Sequence, residues 1–183
     1  MADSTFAYEN NKPHMEYSTI IDFPLEPVWA EIRDYGNWSR WTKMFRNCKI
    51  IDCNGKDQVG CTRQFCPPTL NNVYLEVLNY RSEETHMLKY DLTKIDPPVK
   101  GMGIIHIHVC VEKVAENQSK VTETIWNEYE GETTTEFLAH IHKIQCNGAL
   151  FTYKDLNDYL EEQGRKKGEE KIQESGVSPL VTI

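Results

Sequence analysis

Two histidines stand one residue apart in the segment Gly103-Ile104-Ile105-His106-Ile107-His108-Val109-Cys110-Val111. In a strand, residues i and i+2 share a face, so His106 and His108 could share a metal ion or a substrate proton. The other choice turns Ile105, Ile107, Val109 and Val111 inward and leaves the histidines on the solvent face. The alternation favours that second choice. Later in the chain, His140 and His142 cannot both face one cavity, and no third ligand is evident, so no metal site is expected. The six cysteines, at 48, 53, 61, 66, 110 and 146, form no Cys-x-x-Cys pair and lie at no zinc-finger spacing from a histidine. They read as free thiols in a reducing compartment. No nucleophile triad, phosphate loop or dinucleotide fingerprint is present, and no cofactor is expected.

Three further side chains could carry chemistry. Arg63, if inward, could orient a carbonyl or enolate oxygen in aldol, dehydration or cyclisation chemistry. It could equally form an ion pair with a cavity carboxylate, because a buried guanidinium is costly unless paired. Glu128 is either a general acid or base, with a pKa that an apolar wall would raise, or a strand-end carboxylate in solvent. Tyr90 can donate a hydrogen bond to a bound carbonyl, or simply pack.

The frame that must position these groups is ordinary in size. The chain has 183 residues, with 20 Lys+Arg against 28 Asp+Glu and a net charge of −8. The length suits one domain with its own core. The acidic balance excludes a nucleic-acid binder held by phosphates and disfavours an anionic membrane surface. No apolar run is long enough to span a membrane, and the first 14 residues lack the features of a signal peptide, so a cytoplasmic location is expected. Residues 1–13 read as a flexible tail, 14–161 as the domain, and 162–183 as a charged, flexible tail. The apolar end Pro179-Leu180-Val181-Thr182-Ile183 could dock on the body or be captured as a free C-terminus.

Within the domain the pattern predicts a strand over 15–23 and a short helix over 26–34 with Pro27 in its first turn. A second short helix capped by Asn37 carries Trp38 and Trp41. Strands follow over 48–53 and 58–65, the first ending in an Asn54-Gly55 hairpin turn. Two hairpins come next, over 72–80 and 86–95, then 103–113 and 120–129. A long helix runs over 133–161, with a capping box at Thr133 and Glu136. Its stripe of Phe137, Ile141, Ile144, Gly148 and Phe151 should lie on the sheet, with Gly148 allowing close approach.

Several stretches carry a family likeness. Pro24-x-x-Pro27-Val28-Trp29-x-x-Ile32-Arg33-Asp34 resembles the entrance to the first helix in the START and birch-pollen-allergen-like superfamily. Trp38-x-x-Trp41 stands where that superfamily often has an aromatic pair. Val59-Gly60-Cys61-Thr62-Arg63 is similar to the third strand of plant abscisic acid receptors, and Leu75-Glu76-Val77-Leu78 and Tyr90-Asp91-Leu92 fall at their next two strands. The resemblance covers residues 15–160 and is nearest to polyketide cyclase/dehydratase-like and abscisic acid receptor-like members. The receptor gate is replaced by Cys66-Pro67-Pro68-Thr69-Leu70 and the latch sequence is absent near Pro97-Pro98, which argues against a hormone receptor of that type. The glycine-rich loop of the pollen allergens is not visible either.

The resemblance implies an α+β helix-grip fold: a curved seven-stranded antiparallel sheet round a long C-terminal helix, two short helices after the first strand, and an internal cavity. It places Cys61, Arg63 and Phe65 inward, then Val73, Leu75 and Val77, then Leu88, Tyr90 and Leu92. On the last strand it places Thr122, Thr124, Trp126 and Glu128 inward. Phe137, Ile141, Ile144, Gln145 and Gly148 would close the cavity. Trp41 and Trp126 would wall a ring-shaped ligand, and Lys43 stands near a carboxylate-binding lysine of the receptors, with Thr42 competing for that position. The implied function is a cofactor-independent cyclase, dehydratase or isomerase acting on an apolar polyketide-, terpenoid- or alkaloid-like intermediate. Arg63, Glu128 and Tyr90 would be its catalytic groups. The alternative is a non-catalytic carrier or sensor of a lipid, sterol or hormone-like ligand. The partner is a hydrophobic small molecule in either case, and the chain a monomer or weak homodimer.

Overall fold

The computed structural model describes the backbone of residues 3–9, 12–68 and 71–174 and the side chains of 15–68 and 71–164. Strands β1 (Asp3–Glu9) and β2 (Lys12–Ile21) come first. Helix α1 (Leu25–Arg33) follows, then 3-10 turns at Tyr35–Arg40 and Lys43–Phe45. Six strands come next: β3 (Arg46–Ile50), β4 (Thr62–Cys66), β5 (Val73–Ser82), β6 (Met87–Asp96), β7 (Met102–Ala115) and β8 (Gln118–Tyr129). Helix α2 (Thr135–Glu174) is the last described element. All strand pairs are antiparallel, in the order β1-β2-β8-β7-β6-β5-β4-β3. The seven strands β2 to β8 form the curved sheet that grips α2. Among the described residues no helix is long and apolar enough to cross a membrane.

The ends depart from the sequence expectation. Residues 3–9, expected within a flexible tail, form an eighth strand. Its hairpin with β2 runs from Asp3↔Ser18 to Glu9↔Lys12 and gives backbone partners to an edge that would otherwise be bare. Helix α2 continues 13 residues past 161, because Glu, Gln, Lys and Arg dominate that stretch and are good helix formers. The apolar end 179–183 lies outside the described residues.

Local caps and turns also differ in detail. Thr134, not Thr133, caps α2, its Oγ1 accepting from the Phe137 N–H at 3.2 Å. Asn37 lies inside the first 3-10 turn and donates its side-chain amide to Asp34 instead of capping. Asn54 and Gly55 belong to a 3-10 turn with Cys53 rather than to a tight hairpin.

The buried stripe of α2 is Ile141, Ala149, Thr152, Tyr153, Leu156 and Leu160. It follows the 3–4-residue spacing of a core-facing helix, rotated from the expected stripe. Ile144 and Phe151 are consequently half exposed, at 51% and 52%. Gly148 has open space where a Cβ would be, so no close approach of the sheet depends on it.

Three strands face as expected. Cys61, Arg63 and Phe65 are buried, as are Leu88, Tyr90 and Leu92 on β6 and Ile105, Ile107, Val109 and Val111 on β7. Strands β5 and β8 present the opposite faces. On β5 Glu76 and Leu78 are buried and Leu75 and Val77 lie on the outer face, because Arg63 sits directly across from Glu76 in the β4–β5 ladder and draws it inward. On β8 the buried set is Ser119, Val121, Glu123, Ile125 and Asn127. Thr122, Thr124, Trp126 and Glu128 therefore point out. The register agrees: Val121, Glu123, Ile125 and Asn127 stand opposite Val111, Val109, Ile107 and Ile105.

Candidate functional site

Arg63 lies at the centre of the grip and is fully buried. Its Nε donates to Glu76 Oε2 at 2.7 Å, and its Nη1 donates to the Tyr35 carbonyl at 3.0 Å. Nη2 lies 2.6 Å from the same Glu76 oxygen, an ionic contact whose N–H groups are not aimed well enough to count as a second hydrogen bond. Aromatic rings enclose the guanidinium: Tyr35 at 3.8 Å, Trp38 at 4.1 Å, Phe45 at 4.5 Å and Tyr90 at 4.8 Å from Cζ. Desolvation works against the charge, but Glu76, with smaller help from Tyr35 and Tyr90, outweighs it and binds the proton more tightly than water would. Burial likewise lifts Glu76 above the usual carboxylate range against the pull of Arg63. An arginine does not give up its proton in a protein, so the pair stands as an ion pair in a cation–π cage.

A second buried carboxyl has no such cation. Glu123 accepts a hydrogen bond from the Tyr153 hydroxyl at 2.5 Å. Desolvation pushes its pKa up to about 7; the Tyr153 bond opposes this, and Glu76 adds to it. Tyr153 is held by its place in the helix stripe and by stacking on Tyr17, at 6.3 Å between centroids. Tyr90 is also within electrostatic reach of Glu123, and burial drives its phenol well above the ordinary value. Two residues along the same face of β8, Asn127 exchanges two amide hydrogen bonds with Gln145 of α2, at 2.6 and 3.2 Å. Among the described residues the Tyr35 hydroxyl, Trp41 Nε1 and Thr122 Oγ1 join Arg63 Nη2 as buried polar atoms with no hydrogen-bond partner. Among buried polar groups such orphans are few.

The other sequence candidates divide between interior and surface. Phe65 is buried between Phe45 and Tyr74, and Trp41, Leu92 and Ile141 are buried. Phe137 is half-buried against Tyr129. Lys43 is exposed, and its backbone N–H, like the Thr42 hydroxyl, donates to Asp155 of α2. Glu128 lies on the outer face, with its carboxylate 3.2 Å from His106 Nε2, while Asp91 contacts Nδ1 at 2.8 Å. Partial burial disfavours the imidazolium, but the two carboxylates outweigh it and raise the His106 pKa. His108 packs edge-on against Trp126 at 4.5 Å. Both strand histidines are thus on the outer face with Thr124 and Trp126. Among the described residues no group of three His, Cys, Asp or Glu side chains is placed to hold a metal ion.

The expected cavity between sheet and helix is largely filled by side chains, with Trp38, Tyr35, Arg63, Tyr153 and Leu156 all fully buried. A groove of about 500 Å³ opens instead at the β6–β7 end of the sheet, walled by Lys94, Ile95, Val99, Lys100, Met102 and Ile104 among others. Ile95 and Met102 also pack on the core, so the groove reaches its surface.

Sequence reasoning did not find Glu76, Glu123, Asn127 or Tyr153. Signals for two of them were available. An inward Arg63 requires a carboxylate on the neighbouring strand, and only Glu76 can supply one there. Val121 and Ile125 form the more apolar set on β8, which carries Glu123 and Asn127 inward with them.

A family model described as "Polyketide cyclase / dehydrase and lipid transport" matches residues 12–144. No curated protein matches the chain. Among solved structures, a START superfamily protein from Mycobacterium smegmatis superposes with a TM-score of 0.65 at 10% identity, covering 82% of this chain and 98% of that one. A protein from Nitrosospira multiformis gives 0.64 at 20% identity, over 84% and 99%. The crystal structure of Ara h 8.0201 gives 0.67 at 11% identity, over 88% and 99%. At these identities the structural likeness speaks for the fold.

Proposed function

Because the chain belongs to the polyketide cyclase/dehydrase and lipid transport family, a fold suited to hydrophobic ligands, we propose that it is a cyclase-, dehydratase- or isomerase-type catalyst with Glu123 as its proton carrier. The substrate would be an apolar, oxygen-bearing intermediate of polyketide, terpenoid or alkaloid type. One observation carries this reading: Glu123 is a carboxyl buried inside the grip with the Tyr153 hydroxyl as its hydrogen-bond donor, where desolvation pushes its pKa up to about 7. A group so poised is partly base and partly acid at neutral pH, which is where proton transfer is most effective.

In a dehydration the Glu123 carboxylate takes the proton alpha to a carbonyl. Tyr90 donates to the enolate oxygen that forms. The carboxylic acid then protonates the departing hydroxyl, which leaves as water, and the carboxylate is restored. Cyclisation or isomerisation uses the same proton at a different carbon. Arg63 acts as a positioning residue, since Glu76 and the Tyr35 carbonyl already occupy its best-directed donors. The orphaned Tyr35 hydroxyl and Trp41 Nε1 offer hydrogen bonds to substrate oxygens. The reaction needs one chain, as a monomer or weak homodimer, and six free thiols suit a cytoplasmic setting.

The test is native mass spectrometry of wild-type protein and Glu123→Gln after incubation with a small-molecule extract of the source cells. The expected result is a ligand retained on Glu123→Gln that wild type converts to an isomer or to a species lighter by one water. The same intact ligand on both proteins, unchanged with time, overturns catalysis in favour of a carrier.

A further inference from the structure

Where β2 meets α2, Met15 and His142 both approach the Cys146 sulfur, a cluster that the acid–base site does not use. Met15 points inward from β2 and is almost completely buried, at 1% exposure. Its Sδ lies 3.3 Å from Cys146 Sγ. One helical turn earlier, His142 brings Nε2 to 3.5 Å and Nδ1 to 3.9 Å from the same sulfur. The i, i+4 spacing puts His142 and Cys146 on one side of α2, and the strand supplies the third donor.

We propose that Met15, His142 and Cys146 form a binding site for monovalent copper. Thiolate, thioether and imidazole together make a donor set that selects Cu(I) over harder divalent ions. The spacing is compatible with one small ion. Metal–sulfur bonds of about 2.3 Å and metal–imidazole bonds of about 2.0 Å, known from zinc sites, put donors in a three- or four-coordinate shell roughly 3.5–4 Å apart. The separations of 3.3 and 3.5 Å need only a small opening of the cluster. Binding replaces the Cys146 S–H bond with a sulfur–copper bond and releases one proton to solvent. Copper remains Cu(I), and the thiolate cancels its charge, which suits a half-buried position. His142 and Cys146 are each partly exposed and give the ion access, while Met15 closes the inner side.

The full chain is titrated with Cu(I) under anaerobic, reducing conditions against a chromophoric Cu(I) chelator. The other five cysteines remain in every variant, so differences report this cluster alone. Wild type should hold one equivalent that the chelator removes only at high excess. Cys146→Ser should weaken it by about a hundredfold or more. Met15→Leu and His142→Asn should each weaken it by about tenfold or more, since losing a direct ligand costs at least what losing a supporting contact does. Met15→Leu conserves volume and His142→Asn lies at a partly exposed helix position, so the metal-free melts should stay close to wild type. X-ray absorption of the loaded wild type should report two sulfurs and one nitrogen. The site is wrong if wild type holds no more copper than Cys146→Ser. It is equally wrong if either Met15→Leu or His142→Asn binds as tightly as wild type.

Discussion

Arg63 and Glu123 are the two residues on which the interior turns, and they solve burial differently. Arg63 keeps its charge by pairing with Glu76 inside a cage of rings. Glu123 has no cation of its own and holds its proton up to about pH 7. The difference predicts how substitutions behave. Arg63→Ala should destabilise the protein by about 3–5 kcal/mol, because it leaves the Glu76 charge buried without compensation. The double change Arg63→Met with Glu76→Leu should cost much less, since it removes both charges and keeps most of the volume. Urea denaturation of the two variants checks this. Equal losses would mean that Arg63 contributes mainly through its packing.

At the scale of elements, the order of strands and helices from β2 onward is legible in the sequence, while the strand β1 and the facing of two strands are not. Alternation is decisive where one set is uniformly apolar, as with Ile105, Ile107, Val109 and Val111 on β7. It misleads on β5, where Leu75 and Val77 look like core but the demand of Arg63 for a carboxylate decides the face. It is indecisive on β8, where each face mixes polar and apolar residues, and Glu123 rather than Glu128 holds the inward place. The facing of α2 was lost for another reason: a stripe anchored on Phe137 and Phe151 fits a helix period, but the fully buried Tyr153 and Leu156 fix a different rotation. The carboxylate expected inward on the last strand, Glu128, therefore lies on the outer face, and Glu123 lies inside. The paired glycines offer a check on these packing assignments. At Gly103 a Cβ would come within 2.9 Å of the Glu128 carbonyl on the neighbouring strand. Gly103→Ala should therefore lose about 1–3 kcal/mol. Gly148 lies in open space on α2, and Gly148→Ala should gain up to about 1 kcal/mol from helix propensity. Thermal melts showing the reverse order would contradict the β7–β8 register.

At the scale of the whole molecule, the net charge of −8 proves to say little about chemistry. Among the described residues two acidic groups, Glu76 and Glu123, are buried in the grip, and Glu123 has no ion-pair contact there. Its titration is one link between the stability of the fold and pH. Its carboxyl is ionised in the unfolded chain above about pH 4.5 but stays protonated in the folded chain to about pH 7. Between those values Glu123 is more protonated in the folded chain than in the unfolded one, so its contribution to stability falls as pH rises through the window and is level above it. The cost reaches about 3 kcal/mol if the full shift is realised. Glu123→Gln keeps an acceptor for Tyr153 and has nothing to ionise. The most direct test of the account is the unfolding free energy of wild type and Glu123→Gln measured from pH 4 to pH 8. The account predicts that the variant gains steadily on wild type from about pH 4.5 to pH 7, by up to about 3 kcal/mol, and then runs parallel to it. Curves that run parallel across the whole range would contradict it, because Glu123 would then titrate as an ordinary surface carboxylate.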